Sequence, residues 1–257
     1  MALPRGGARA GREIRTPAAV LLRVSGGVAT LTLGRPGDGN RLDARMTADL
    51  AAALETCDLS AEVRVVALRG AGRDFCLGAG GGERGSSGAG RRGPTLGAAG
   101  AGSGAPPGEA ADLGEVLVAL RALPKVTVAI VQGRALGGGF GLAAACDLVV
   151  ARAGSAFGAC DAGRGAVPAA VMPLLCEALG VKRAFDVAAT GRILDADEAL
   201  AAGLVCRVLP GRAFDAAITK MLTALARRSA TALALAKRRI HECGGDALAA
   251  ARARRAR

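Results

Sequence analysis

The spacing of hydrophobic and polar residues predicts that the chain begins its folded part with a hairpin and a helix. Two β-type runs, 18–24 and 28–33, are separated by a glycine pair at 26–27, which is typical of two strands joined by a tight turn. Asp43 is a suitable N-cap for the helix that follows and extends through Leu54.

Further along, strand-like and helix-like patterns alternate. The run 63–68 is apolar apart from Arg64, which indicates a strand covered on both faces, as in a parallel sheet. A helical pattern at 111–123 leads into a strand at 126–131, and another strand follows at 148–151. This alternation predicts an α/β fold with right-handed crossovers.

Composition divides the chain into segments. Residues 78–108 contain thirteen glycines in 31 positions, so this stretch cannot bury enough apolar surface to offset its ordering entropy, and we expect a flexible loop. Beyond residue 168 the pattern is helical except for a short strand at 205–209. We therefore expect a basic disordered leader (1–16), an α/β core (17–195) that contains the loop, a helical C-terminal region (196–245) and a basic tail (246–257).

The charge pattern argues against a nucleic-acid-binding role. The net charge is +12, but residues 1–16 carry +3 of it and residues 227–257 carry +7, which leaves the middle of the chain close to neutral. Aromatic residues make up 2% of the chain, and all five are Phe, so platforms for base stacking are not expected. A small-molecule enzyme with basic ends fits this pattern better.

Cysteine and histidine usage argues against a metal site and a disulfide framework. The seven cysteines form no C-x-x-C pair, and the single histidine, His241, reads as a surface residue on a basic helix. The longest apolar run has 12 residues, which is too short to span a membrane. We expect a cytoplasmic protein without membrane contact, with organelle import through the Arg-rich N-terminus as the alternative.

Two glycine-rich turns are the candidates for chemistry. Residues 75–80 and 135–141 each follow a predicted strand, and the second run opens a predicted helix. Glycine lets backbone N–H groups approach a ligand oxygen, and the unpaired amides at a helix N-terminus favour negative charge. Either turn alone is also compatible with an ordinary tight turn.

Several motifs in a fixed order make the chain resemble the crotonase superfamily, the enoyl-CoA hydratase/isomerase proteins, over residues 18–240. The motifs are Arg35-Pro36 with Asn40-Arg41-Leu42, the run VVALRGAGRDFCLG at 65–78, the run VQGRALGGGFGLAAACD at 131–147, Phe157-Gly158, Thr190-Gly191-Arg192, and Glu198-Ala199-Leu200 before Ala202-Gly203-Leu204-Val205.

The resemblance implies a fold and a ligand class. The implied fold is a spiral of ββα repeats with a C-terminal helical region that mediates trimer contacts, as a homotrimer or a hexamer. The implied substrate is an acyl-CoA thioester, with coenzyme A as part of the substrate and no separate cofactor or metal. Its thioester oxygen would be bound in an oxyanion hole by the backbone N–H groups of Ala79 and Gly138. We assign substrate contacts to Arg73, Arg41, Gly78, Gly137 and Gly141.

The chain departs from the family pattern in its acid/base residues. Hydratases of this family hold a water between two glutamates, and the matching positions here are Gly141 and Asp161. A single carboxylate can move a proton along the acyl chain, whereas water addition should be weak. Replacing Gly141 with Glu is expected to raise hydration if the pocket tolerates the longer side chain.

Three functions remain open from the sequence. The first is an acyl-CoA enzyme of the hydratase/isomerase type with Asp161 as its acid/base, acting as an isomerase-like proton shuttle. The second is a non-catalytic or hetero-oligomeric paralogue that binds CoA esters. The third is a nucleic-acid or membrane-surface adaptor that uses the basic ends. We favour the first.

Overall fold

The computed structural model describes residues 12–14, 19–78, 113–159 and 169–244. Ala79, Asp161, the glycine-rich loop beyond Gly78 and the basic tail lie outside the described residues, as does the predicted leader except for its residues 12–14.

Two sheets are present in the described part of the chain. The strands are β1 (Arg12–Ile14), β2 (Val20–Ser25), β3 (Val28–Leu33), β4 (Val65–Gly70), β5 (Val126–Val131), β6 (Arg134–Leu136), β7 (Leu148–Arg152), β8 (Ala156–Gly158), β9 (Leu194–Asp195) and β10 (Arg207–Leu209). The larger sheet has the strand order β1-β2-β3-β4-β5-β7-β10; β2 pairs antiparallel with β1 and with β3, and the remaining neighbours pair parallel. The smaller sheet has the order β6-β8-β9.

The helices complete an α/β architecture with a largely helical C-terminal part. They are α1 (Ala44–Leu59), α2 (Leu113–Ala122), α3 (Gly138–Ala145), α4 (Met172–Thr190), α5 (Ala196–Ala202), α6 (Phe214–Ala226) and α7 (Ala230–Gly244). The predicted α/β class with a helical C-terminal region is therefore confirmed.

The hairpin and the first helix form as their local sequence predicts. Gly26 and Gly27 both have positive φ, +58° and +81°, so they supply the turn between β2 and β3 that other residues adopt only with strain. The Asp43 carboxylate accepts a hydrogen bond from the Met46 N–H at 2.8 Å and caps α1.

Strands β4 and β5 are buried on both faces, as the continuous apolar run in β4 predicts. Every residue of β5 is buried, and so is every residue of β4 except Arg69. Separate hydrophobic clusters lie on the two sides of the sheet, one against α1, α2, α3 and α4 and the other against α6. The central strands therefore form a rigid base for the loops that follow their carboxyl ends.

Two features differ from the sequence-based expectation. The smaller sheet was not predicted, because its strands have only two or three residues and show no alternating pattern. Within the segment expected as a disordered leader, residues 12–14 pair with β2 as an antiparallel edge strand. Among the described residues, no helix is long and apolar enough to cross a membrane.

Candidate active site

The two glycine-rich turns come together because their parent strands are parallel neighbours. β4 and β5 pair in register from Val65↔Val126 onward, so the segments after their carboxyl ends leave the sheet side by side. Backbone hydrogen bonds then join them: the Leu136 N–H donates to the Cys76 oxygen at 2.9 Å, and the Cys76 N–H donates to the Arg134 oxygen at 3.1 Å. This pairing sets the first turn directly against the second.

Gly78 occupies a position that a larger residue cannot fill. Its φ is +82°, and a Cβ there would lie 2.7 Å from the Leu136 oxygen and 3.2 Å from the Gly138 nitrogen. Its own N–H lies 3.4 Å from the Cys76 Sγ. Burial raises the pKa of the Cys76 thiol to about 12, so this sulfur stays protonated and is not a nucleophile.

Helix α3 presents its N-terminus to the junction of the two turns. Among the described residues, the Gly138 N–H makes no hydrogen bond, whereas the Gly137 N–H donates to the Gly158 oxygen at 2.7 Å and the Gly141 N–H donates to the Gly137 oxygen at 3.1 Å. An unpaired amide at the first turn of a helix, reinforced by the helix dipole, can bind a ligand oxygen that gains negative charge.

Aliphatic side chains flank the first turn of α3. A Cβ on Gly138 would lie 2.8 Å from Leu42 Cδ1 and 2.9 Å from Leu113 Cδ2. A Cβ on Gly141, one helical turn further on, would lie 2.8 Å from Val171 Cγ2. The surroundings of the Gly138 amide are therefore apolar, which strengthens any hydrogen bond that it makes.

The buried Asn40 side chain holds the segment that leads to Gly78. Asn40 is 0% exposed, has a φ of +56°, and accepts a hydrogen bond from the Arg35 N–H at 3.0 Å. Its amide nitrogen lies within hydrogen-bond distance of three carbonyl oxygens, those of Ala71 (2.9 Å), Asp74 (2.9 Å) and Phe75 (3.2 Å). Sequence reasoning gave Asn40 no role; its position in a turn before a capped helix is the signal that it is structural.

A second polar contact fixes the same segment from the other side. The Arg134 guanidinium donates two hydrogen bonds to the Asp74 carboxylate, at 2.9 and 2.8 Å. This pairing holds the pKa of Asp74 below its usual value, although burial opposes it. The loop between β4 and Gly78 is thus anchored by side chains as well as by backbone.

Of the two arginines predicted to contact the substrate, the structure places Arg41 close to Gly78. The Arg41 guanidinium is 3.5 Å from the Leu77 oxygen, and the adjacent Leu42 N–H donates to the Gly78 oxygen at 2.8 Å. Arg73 lies on the loop between β4 and Gly78, and it is exposed.

Of the predicted site residues, the structure brings Gly78, Gly137 and Gly138 together, with Gly141 one turn along α3. Ala79 and Asp161 lie outside the described residues. The chain toward Asp161 leaves the site through β8, whose last residue accepts the hydrogen bond from Gly137, and continues through the fully buried Ala159.

A charged cluster lies on another side of the molecule, where α7 packs against the core. We call it the α7 seam and define it by Arg121, Asp147, Glu177, Lys237 and His241. Lys237 is only 9% exposed, and its ammonium nitrogen is 3.0 Å from the Asp147 carboxylate. Sequence reasoning counted Lys237 with the solvated charges of the basic C-terminal segment, and the structure places it inside.

His241 also lies in the α7 seam and is not the surface residue expected from the sequence. Its side chain is 22% exposed, and Nε2 is 3.8 Å from Asp147 Oδ1. Burial, the largest influence, lowers the pKa of His241, as do the neighbouring charges of Arg121 and Lys237. One turn of helix separates His241 from Lys237, so both face the same groove of about 420 Å³.

Comparison with known proteins agrees with the fold and identifies the family. The family model described as enoyl-CoA hydratase/isomerase matches residues 23–257. The chain belongs to this family, which is part of the crotonase superfamily.

Individual relatives support the same assignment. The chain is 35% identical to the "Putative enoyl-CoA hydratase" of Thermus thermophilus over 82% of its own length and 79% of that protein. It spans less of some other relatives, for example 63% of one from Mycobacterium leprae.

Solved structures with this fold include one described as a hydratase and one described as an isomerase. An enoyl-CoA hydratase from Mycobacterium avium subsp. paratuberculosis K-10 superposes with a TM-score of 0.75 at 31% identity, covering 92% of this chain and 87% of that one. A monofunctional enoyl-CoA isomerase from M. smegmatis gives a TM-score of 0.67 at 31% identity, covering 85% and 89%.

Proposed function

We propose that this protein acts on acyl-CoA thioesters by moving a proton along the acyl chain through an enolate, with a single carboxylate as acid/base and with water addition as a weak activity. The observation that carries the proposal is the Gly138 amide at the start of α3, which has no partner among the described residues and stands beside Gly78 in an apolar setting.

The thioester oxygen is proposed to bind the backbone N–H groups of Gly138 and Ala79. Ala79 directly follows Gly78, where a Cβ would lie 3.2 Å from the Gly138 nitrogen. Two amides held on a rigid frame need no reorganisation when charge develops on the oxygen, and each such donor contributes about 3 kcal/mol to barrier lowering.

Asp161 is proposed as the acid/base. It would remove the proton from the carbon next to the thioester carbonyl, while the enolate oxygen is held by the two amides, and would return the proton further along the chain. Support comes from its position in sequence, three residues beyond Gly158, which is bonded to Gly137. No carboxylate comes from α3, because the corresponding position is Gly141.

Arg73 and Arg41 are proposed to contact the nucleotide part of coenzyme A. Arg41 lies close to Gly78, Arg73 is exposed on the loop between β4 and Gly78, and a guanidinium is suited to bind phosphate. A homotrimer or hexamer, the absence of a separate cofactor and a cytoplasmic location remain predictions from the resemblance and the sequence.

The proposal is tested by incubating the protein with 2-enoyl-, 3-enoyl- and malonyl-type CoA esters and following the products by mass spectrometry. We expect conversion of a 3-enoyl ester to its 2-enoyl isomer and little hydration of the 2-enoyl ester. Efficient hydration, at about 10 s⁻¹ or more, would contradict the single-carboxylate mechanism. Binding of esters without turnover of any of them would favour the non-catalytic paralogue.

A further inference from the structure

The space beside Gly141 is filled by hydrocarbon. A Cβ at this residue would lie 2.8 Å from Val171 Cγ2, and 3.5 Å from Leu117 Cδ1. Both Val171 and Leu117 are 0% exposed. A Cβ at 2.8 Å from Val171 Cγ2 is closer than van der Waals contact allows. The Val171 side chain would therefore have to move before any side chain could be accommodated at position 141.

We propose that Val171 and Leu117 are specificity-determining residues: they exclude both a carboxylate and a water molecule from the position beside Gly141 and so restrict the enzyme to proton transfer without water addition. The inference rests on the proposed function for its chemical meaning. The glutamate of the family is missing at position 141, and in addition Val171 and Leu117 occupy the space that a glutamate side chain and its water would need.

Among the described residues, the atoms nearest to the Cβ direction of Gly141 offer no polar partner for a water. A buried water usually needs two to four polar partners. The Gly141 N–H is already bonded to the Gly137 oxygen at 3.1 Å, and the described side chains nearest to the Gly141 Cβ direction are aliphatic. A water there would lose hydrogen bonds that it makes in bulk solvent.

Val171 is also held in place by the start of α4. Its carbonyl oxygen accepts the Leu175 N–H at 2.9 Å, and Pro173 follows within the first turn of the helix. A β-branched side chain has few alternative rotamers, so Val171 cannot easily turn away from Gly141. A gain of hydration in Gly141→Glu was expected on the condition that the pocket tolerates the longer side chain. With Val171 in place, we expect that this condition is not met.

The experiment compares Gly141→Glu with the double variant Gly141→Glu/Val171→Ala. The single variant should not gain hydration of a 2-enoyl-CoA ester. The double variant, which removes the Val171 Cγ2 methyl group that faces residue 141, should hydrate the ester at least about tenfold faster than the single variant. Gly141→Glu/Val187→Ala is the matched control, since Val187 is an equally buried valine further along α4; it should behave like the single variant.

A double-mutant cycle measured by melting temperature tests, without any activity measurement, whether Val171 fills the space beside Gly141. Gly141→Ala should lower the melting temperature of the wild type by about 4 °C or more through overpacking, and it should lower it by less than half as much in a Val171→Ala background. Equal shifts in both backgrounds, or a gain of hydration in Gly141→Glu alone, would overturn the inference.

The two measurements separate this inference from the proposed function. If the wild type neither binds nor converts CoA esters, the proposed function fails. The melting temperatures still decide whether Val171 fills the space beside Gly141. The specificity role of Val171 would be overturned by a third outcome. In it, the wild type isomerises the ester and the melting temperatures show that residues 141 and 171 interact, but the double variant Gly141→Glu/Val171→Ala gains no hydration.

Discussion

The site formed by Gly78, Gly137 and Gly138 at the start of α3, called the glycine site below, differs from the α7 seam in how its buried polar groups are paired. At the glycine site the backbone amide of Gly138 is left without a partner among the described residues and is surrounded by aliphatic side chains. In the seam every charge faces an opposite charge: Lys237 pairs with Asp147, and Arg121 pairs with Glu177 at 2.8 Å.

The difference indicates which polar groups are available to bind a ligand and which are already used to stabilise the fold. A partner-free amide in an apolar setting costs stability until a ligand oxygen binds it. In the seam the charges already have partners: Lys237 also lies within hydrogen-bond distance of the carbonyl oxygens of Leu120 and Lys125, at 3.3 and 3.2 Å. One polar atom, the buried Nε of Arg121, has no hydrogen-bond partner among the described residues. We therefore expect changes in the first region to alter turnover and changes in the second to alter the free energy of unfolding.

The largest effect is expected from Asp161→Asn, which belongs to the glycine site in the proposed mechanism. The amide keeps the volume of the carboxylate but cannot accept the substrate proton, so turnover should fall about a hundredfold or more while affinity for CoA esters and melting temperature change little. Steady-state kinetics, ligand titration and thermal melting check the three quantities. Asp197→Asn, an exposed aspartate in α5, is the control. Unchanged turnover in a folded Asp161→Asn protein would require a different base.

Lys237→Met is the corresponding change in the seam. It leaves the Asp147 carboxylate without its ammonium partner, while the N–H and hydroxyl of Thr127 still donate to it at 2.8 and 2.9 Å. We expect a loss of about 2 kcal/mol in the free energy of unfolding, measured by urea denaturation, with unchanged turnover. The exposed neighbour Arg238→Met should change stability by less than about 0.5 kcal/mol. A loss of turnover at wild-type stability would break the proposed division between the two regions.

A smaller effect is expected from Arg73→Ala on the loop between β4 and Gly78. Because Arg73 is exposed, its contact with the phosphates of coenzyme A should be screened by solvent, so KM should rise about threefold at low salt and kcat should stay the same. Repeating the measurement at high salt should shrink the difference. Arg228→Ala, an exposed arginine between α6 and α7, should leave KM unchanged; an equal rise in both variants would point to net charge instead of a specific contact.

The smallest effect concerns pH and His241. Burial lowers the pKa of His241 in the folded protein, so the unfolded chain binds more protons between the folded and unfolded pKa values, and stability rises with pH across that window. On acidification from pH 8 to pH 5 the wild type should therefore lose about a few tenths of a kcal/mol that a His241→Gln variant does not lose. Melting curves of both proteins across this range check the difference. A steeper loss in the variant would reverse the assigned sign.

Local sequence patterns were sufficient to predict the hairpin, the cap of the first helix and the strand that leads into the second glycine-rich turn. The turn at 26–27, the N-cap Asp43 and the strand 126–131 depend on residues within a few positions of each other. Gly78 and Gly138 meet because parallel strands end at the same edge of a sheet, which the alternation of strands and helices already indicates.

The rest depends on contacts between residues distant in sequence. Lys237 and Asp147 are ninety positions apart, and nothing near either residue distinguishes a buried pair from two solvated charges. Val171 and Gly141 are thirty positions apart, so the sequence shows that a carboxylate is missing but not that its space is closed. Strands as short as β8 and β9 have too few residues to display a period, and their pairing is decided by the surrounding chain.

The hydrogen bond from the Gly137 N–H to the Gly158 oxygen constrains how a protein of this architecture can change its reaction. Through that bond, the turn that precedes the Gly138 amide is fixed to the strand that leads toward Asp161, the proposed acid/base. A shift of β8 by one residue would therefore displace the turn together with the strand. New reactions are therefore more accessible through replacement of single side chains around a fixed backbone than through insertions in the small sheet. Among natural variants, we expect length changes to avoid residues 134–158 and to collect in the loops outside this segment.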